Sequence, residues 1–312
     1  LARDLFIEFS HSPCFNGSAV KPMNSLANIS ESKLPSDGER AALLKLLTDD
    51  DPAVYRTVRT RILSCGPAAR EWLRPHSLSC DPVLRRRSRE IVQHFASLDA
   101  DTRFLSFCLK HGEEFDLEEG VWLLVQTNHP DINVEAYQAM LDGYAAELRE
   151  RLEPGASGKE TLGIINEYLF KELGFAGNEI AYYDPQNSYL NRVMDRRTGN
   201  PINLSLIYLL LARRLRLPMA GVGLPGHFIC RYQSASEEIF IDAFNRGKLM
   251  TKTDCVQFLS HVSEDARAEF LTPTSARRIL TRICNNLHQI YRQLGLREET
   301  LRLHRYLVAL AR

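Results

Sequence analysis

Residues 224–245, LPGHFICRYQSASEEIFIDAFN, hold the two side chains whose types and spacing could do chemistry together. Two short apolar runs flank a polar turn, with His227 in the first run and Asp242 in the second. Taking 233–236 as a four-residue loop pairs Tyr232 with Glu237. Counting outward then sets His227 opposite Asp242, with Cβ atoms about 5 Å apart on one face. A two-residue slip would leave them diagonal neighbours on the same face. A histidine beside a carboxylate can be a general base with its orienting acid, part of a ligand site, or a hydrogen-bonded structural couple. Cys230 lies three residues from His227 and therefore faces the other way, which makes it a poor nucleophile for this histidine. Two ligands without a third at helpful spacing do not make a metal site. No cofactor is expected.

A second source of chemistry lies just upstream. Asp184-Pro185-Gln186-Asn187 reads as a turn, with Ser188 as the cap of a short helix through Val193. Thr198-Gly199-Asn200-Pro201 then starts another helix, with Asn200 as N-cap and Pro201 at its first position. The run LSLIYLLLARRL is apolar on nearly all sides, which predicts a helix buried in the middle of a domain. Its N-terminus aims free N–H groups and the positive dipole end at one place, where a nucleophile or an anion would be stabilised. The candidate ligand-binding set is therefore Asn200, Asn203, His227 and Asp242. Ser205, about one turn into the helix, is a weak candidate nucleophile.

The elements that must position these groups belong to a chain of 312 residues with 44% hydrophobic content, enough for one large domain or two to three smaller ones. Lys plus Arg balances Asp plus Glu at 39 each, so nothing global favours nucleic acid or an anionic membrane. Seven cysteines stand singly at 14, 65, 80, 108, 230, 255 and 284, without Cys-x-x-Cys spacing. That pattern fits reduced thiols in a cytoplasmic protein. No run of 18 apolar residues could span a bilayer. The first residue is Leu1 rather than Met, which fits a piece of a longer chain and leaves a targeting signal upstream open.

Residues 1–38 read as a disordered leader, rich in Ser, Asn, Gly and Pro over 11–38, with order beginning near Glu39. Over 39–98 an internal echo appears: Asp51-Pro52 and Asp81-Pro82 each start a helix, aligning Val54 with Leu84, Val58 with Ser88 and Ile62 with Val92. The copies are expected to stack as HEAT-like helix pairs. Arg85, Arg86, Arg87 and Arg89 in the second copy read as an anion-binding patch or as a solvated helix face. Helical periodicity resumes over 101–152, and ETLGIINEYLFKELGF reads as a helix ending near Gly174. Over 273–312, two amphipathic helices meet at Gly295. Eight Arg against two Glu in residues 274–312 make this the most basic end of the chain, suited to an acidic partner or to a solvated face.

The string GNPINLSLIYLLLARRLRLPMAGVGLPGHF, continued by FIDAFNRG, resembles the transglutaminase-like superfamily, and more closely its bacterial SirB-type branch. The resemblance covers roughly residues 100–311. It implies a papain-like transglutaminase core over 99–272 with a small antiparallel sheet, followed by a tetratricopeptide-like hairpin over 273–312. With the HEAT-like repeats that the internal echo sets over 39–98, outside the resemblance, the chain is expected to be α+β and predominantly helical. His227 matches the superfamily's histidine and Asp242 its acid. The position of the nucleophilic cysteine falls at about Pro201, and none of residues 200–205 is a thiol. Acyl transfer of this kind uses a thiolate. The resemblance therefore implies a fold that has lost its nucleophile and works as a binding or regulatory module through protein contacts. The alternative is a hydrolase or acyltransferase using Ser205 or another cysteine. Nucleic-acid binding has the least support.

Overall fold

The computed structural model describes residues 35–110, 112–260 and 269–312. The leader read over 1–38 falls outside them up to residue 34. Helix α1 (Asp37–Leu47) starts two residues ahead of Glu39, because Ser36 closes a capping box in which its Oγ accepts from Glu39 N and Glu39 accepts from Ser36 N. The chain divides into two compact units between Ala96 and Ser97.

The first unit holds α1, α2 (Pro52–Leu63), α3 (Ala68–Leu73) and the start of α4 (Pro82–Lys110). Asp51 and Asp81 cap as their spacing predicts, accepting from Ala53 N at 2.7 Å and Val83 N at 2.8 Å. Leu47, Val58, Ile62, Leu73, Ile91 and Phe95 make its core, and the aligned Val58 and Ser88 are both buried. One helix replaces the two expected across 82–110, since LDADT at 98–102 contains neither Gly nor Pro to stop it. Three of the four arginines read as an anion patch or a solvated face donate to backbone carbonyls. Arg87 Nη1 donates to the carbonyls of Leu47 (2.7 Å) and Asp49 (2.6 Å) at the end of α1, Arg85 to Ser79 O and Arg89 to Ser77 O.

In the second unit, α5 (Leu117–Asn128), α6 (Val134–Arg151) and α7 (Gly158–Asn166) precede the parallel pair β1 (Ala176–Gly177) and β2 (Thr198–Gly199), with α8 (Leu190–Arg196) between those strands. Helix α9 (Pro201–Leu215) leads into an antiparallel sheet of β3 (Met219–Leu224), β4 (His227–Gln233), β5 (Glu238–Asp242) and β6 (Lys248–Met250), ordered β3-β4-β5-β6. Helices α10 (Lys252–Phe258), α11 (Ala276–Gln293) and α12 (Arg297–Leu310) follow. Among the described residues no helix is long and apolar enough to cross a membrane.

As its composition predicts, α9 is central: Ile202, Leu204, Leu206, Ile207, Leu210 and Leu211 are buried, each worth about 1.5–3 kcal/mol of transfer free energy. They share a core with Phe228, Cys230 and Ile241 on one face of the sheet. The other face carries a separate cluster of Val222, Ile229, Phe240, Cys255 and Leu259. Alternation along β4 assigns His227 to this second face, with Ile229.

The basic tail turns much of its charge inward. Arg277 is buried and donates to the carbonyls of Leu310 (2.7 Å), Ala309 (3.0 Å) and Cys108 (3.2 Å). Arg282 serves Leu224 O and His227 O, and Arg302 serves Thr127 O. Net charge read from the sequence thus overstates any basic face here. Gly295, at φ +70°, makes the expected joint between α11 and α12.

Two histidines make this unit acid-sensitive. Burial lowers the pKa of His288, helped by the charges of His304 and Arg292. Burial and Arg192 lower that of His129, against the opposing pull of Asp195. A folded-state value below the unfolded one, ordinarily about 6.5, means the unfolded chain binds more protons as pH falls. Stability is fully present above that value and declines as pH drops toward the folded values. The unfolding midpoint is expected to fall between pH 7 and 5, and His288→Gln to flatten that slope. An unchanged slope in this variant would remove His288 as a cause.

Candidate functional site

Each part of the site has a local reason for its position. Asn200 Oδ1 accepts from Asn203 N at 3.0 Å and Pro201 follows at the first helical position, so α9 begins where its sequence dictates. Asn200 Nδ2 in turn donates to Ser188 Oγ at 2.9 Å. Ser188 therefore supports α9 and is not the cap of the preceding helix, which begins at Leu190 after Tyr189 with no side-chain cap. Asn203 is fully buried and its Oδ1 finds no hydrogen-bond partner among the described residues.

In the hairpin, Gln233 pairs with Glu238 and Tyr232 with Ile239, which corrects the expected Tyr232–Glu237 pairing. The loop is 234–237, held by Ser234 N donating to Glu237 O and by Glu237 N donating to Ser234 Oγ. His227 and Asp242 are thus diagonal neighbours rather than directly opposed. Their side chains still meet, with His227 Nε2 2.8 Å from Asp242 Oδ2. Asn245 steadies the carboxylate through its Nδ2 (2.7 Å) and backbone N (3.2 Å). Burial pushes the Asp242 carboxyl up, but the hydrogen bond and charge of His227 together with the Asn245 donors outweigh it and hold the pKa below the ordinary range. A carboxylate can only accept, so Nε2 carries the proton. Nδ1 is then the acceptor in the neutral ring.

The four candidate residues form two hydrogen-bonded groups. Asn200 and Asn203 sit with Ser188 at the start of α9, and His227 and Asp242 sit with Asn245 at the end of the hairpin. Phe244 packs against His227 and against the strand pair that precedes Asn200. Its ring meets His227 edge-on at 6.2 Å, and a Cβ built on Gly177 would come within 2.6 Å of that ring. Gly177 pairs with Gly199, the residue before Asn200. Ser205 is fully buried and donates its Oγ to Phe228 O at 3.3 Å, away from His227. Among the described residues, no group of three or more His, Cys, Asp or Glu side chains converges as a metal site would require.

Sequence reasoning missed the aromatic surroundings of His227. Phe258 lies 5.9 Å from the imidazole, and beyond Phe244 the rings of Tyr182 (5.9 Å) and then Tyr183 (5.2 Å from Tyr182) continue the series. The adjacent tyrosines in NEIAYYDP were the one available signal.

No described cysteine is set up as a nucleophile beside this histidine. Cys255 shares the face of His227 but is fully buried, and burial together with the charges of Asp254, Asp242 and Glu238 pushes its thiol up to about 12. Burial likewise pushes Cys230, on the opposite face, up to about 12. Cys65, Cys108, Cys230, Cys255 and Cys284 are buried and Cys80 is exposed. Native alkylation is expected to modify Cys80 quickly and spare those five until the chain is unfolded. Peptide mapping after a brief iodoacetamide pulse checks this, and early labelling of Cys255 would contradict it.

Residues 135–285 match the family model described as transglutaminase-like superfamily, so this part of the chain is similar to that superfamily. The chain is 36% identical over 185 residues to a UPF0162 protein of Xylella fastidiosa, a match covering 57% of this chain and 66% of that protein. It is 30% identical over 159 residues to a UPF0162 protein of Pseudomonas aeruginosa, covering 50% of this chain and 57% of that one. F-box only protein 21 of Mus musculus is 34% identical over 145 residues, which are 44% of this chain and 23% of the mouse protein. The chain therefore spans just under two thirds of the length of the Xylella relative, and less of the others. No solved structure matches it.

Proposed function

We propose that this transglutaminase-like domain is a non-catalytic binding or regulatory module in which His227 and Asp242 remain while the nucleophile's position, about Pro201, holds no thiol. The observation that carries this reading is the state of Cys255. It is the described thiol on the face of His227, yet it is fully buried and its pKa is about 12. A thiol in that state does not supply the thiolate that acyl transfer needs. Asn200 and Pro201 start α9 as cap and first residue, roles that leave its N-terminus without a reactive group.

In this reading the His227–Asp242 edge contacts a protein partner, and the helical segments on either side, HEAT-like over 39–98 and tetratricopeptide-like over 273–312, provide further contact surface in the cytoplasm. By motif the chain resembles the SirB-type branch. A matched segment that makes up 66% of one relative and 23% of another suits a portable module.

The test is turnover of acyl substrates. Nitrophenyl esters, and a glutamine-containing peptide offered with a fluorescent amine, are expected to react no faster with the chain than with His227→Ala. A rate that falls about 10²–10⁴-fold in His227→Ala, the usual contribution of a general base, would establish an enzyme instead.

A further inference from the structure

The loop before α8 presents apolar side chains to solvent, and its tyrosines are linked to His227 through the ring of Phe244. Ile180 is fully exposed, Tyr183 is 58% exposed and Tyr182 36%. Phe258, on the other side of the imidazole, is 46% exposed. Ring contacts run without a gap from Tyr183 through Tyr182, Phe244 and His227 to Phe258. A contiguous apolar surface of this kind marks an interaction site more often than scattered single residues do.

The loop is pinned. Asn178 Oδ1 accepts from Ala181 N at 3.0 Å, and the buried Asn187 donates its Nδ2 to Ala181 O (2.7 Å) and Tyr182 O (3.2 Å). Asn178 N also donates to Gly199 O at 3.1 Å, and Asn178 Nδ2 to Asn187 Oδ1 at 3.0 Å. Two asparagines thus hold the exposed side chains in place, so little ordering entropy is lost when something binds them.

His227 lies within this surround, with the phenols of Tyr182 and Tyr183 at one end of the series and Arg282 donating to its carbonyl. In the neutral ring, with Nε2 committed to Asp242, Nδ1 of His227 offers a lone pair, and the side chain is 13% exposed. Complementarity then requires an occupant with an apolar group for the rings and a hydrogen-bond donor for Nδ1. A main-chain N–H next to a bulky apolar side chain supplies both at the right scale, whereas an anion supplies neither.

We infer that the collar of Ile180, Tyr182, Tyr183, Phe244 and Phe258 docks a segment of a partner protein, seating a bulky apolar side chain among the rings while the neighbouring backbone N–H donates to Nδ1 of His227. This names the partner chemistry of the site under the non-catalytic reading and rests on it. Fixed aromatic anchors of this kind carry most of the binding energy in protein interfaces.

The experiment pans the full chain against a displayed library of random dodecapeptides and titrates the selected peptides into wild type and into Ile180→Asp, Tyr183→Ala and Phe258→Ala. These three side chains are exposed, so unchanged unfolding midpoints confirm that the variants fold. The selected peptides are expected to share one bulky apolar residue and to bind about tenfold more weakly, roughly 1.4 kcal/mol, to Ile180→Asp and Phe258→Ala. Methylating the amide nitrogen beside that residue should cost a similar factor. Failure to select any peptide, or equal binding to all variants, overturns the proposal. So does binding of phosphatidylglycerol vesicles that Ile180→Asp abolishes, since the surface would then be a lipid contact. A covalent serine or cysteine probe on the same preparations separates the two readings. Labelling of wild type that is lost in His227→Ala would sink the non-catalytic reading whatever the peptides do, and a failure of wild type to bind any peptide, without labelling, sinks the docking inference alone.

Discussion

Arg214→Met is expected to cost the second unit about 3–5 kcal/mol, the range for removing one partner of a buried ion pair. Arg214 ends α9 with a two-pronged contact to Glu118 of α5, its Nη1 and Nη2 each 2.9 Å from a carboxylate oxygen, and its Nε reaches Asp142 of α6 at 2.6 Å. The Arg214 and Glu118 side chains are only 16% and 9% exposed, so the carboxylate left behind could not regain water. The guanidinium thus ties the central helix to two of its neighbours. A second substitution should recover much of the loss: Glu118→Met in the Arg214→Met background removes the stranded charge, and replacing both partners of a buried pair is often neutral. Trp122 Nε1 donates to Glu118 at 3.4 Å, so its fluorescence in a Trp72→Phe background follows urea unfolding at the site of the change. A single variant that lost less than about 1 kcal/mol, the surface-pair range, would show that this pair is solvated and not structural.

Gly247→Ala is expected to cost about 2–5 kcal/mol, from roughly 1–2 for a left-handed residue with a Cβ and roughly 1–3 for overpacking. Gly247 has φ +72°, its N donates to Asp242 O at 2.9 Å, and its carbonyl accepts from Asn166 Nδ2 at 2.7 Å. An added Cβ would collide with Asn166 Oδ1 and come within 2.6 Å of the Phe170 ring. The turn that would shift also carries Asn245 and orients Asp242, so His227 should lose its fixed tautomer along with the stability. Gly226→Ala is the control. Its φ is +67° but nothing lies within 4 Å of a built Cβ, so only the smaller, conformational part of the loss is expected. Equal losses at the two positions would mean that the packing around Gly247 yields easily.

Much of this architecture could be read from local chemistry. The Asp-Pro and Asn-Pro pairs announced the starts of α2, α4 and α9, and the all-round apolar face of α9 announced its central position. Strand alternation was enough to bring His227 and Asp242 together, even though the pairing was misjudged. Loops over 233–236 and 234–237 are both polar and neither contains an Asn-Gly or Asp-Gly turn signal, so sequence does not discriminate between them. Ser188 was misread because a serine two residues before an apolar run looks like a cap whether or not Asn200 has claimed its oxygen.

The rest depended on three-dimensional convergence. The rings around His227 come from 182–183, 244 and 258, three segments with no common period. The arginine count in the tail was correct, but the direction of each guanidinium was not in it: Arg277, Arg282 and Arg302 point at carbonyls. Likewise, the set Asn200, Asn203, His227 and Asp242 came from reading the polar start of α9 together with the hairpin, and the Phe244 ring that packs against both His227 and Gly177 was not legible in it.

The central claim is that His227 and Asp242 have no nucleophile to serve. Intact-mass measurement of the native chain after treatment with a fluorophosphonate and, separately, an electrophilic cysteine-hydrolase probe tests it most directly, with His227→Ala alongside. The prediction is no fluorophosphonate adduct, and cysteine labelling confined to exposed thiols and identical in the two proteins. An adduct on Ser205, Cys255 or Cys230 that disappears in His227→Ala would contradict the account, because it would reveal a nucleophile that this histidine activates.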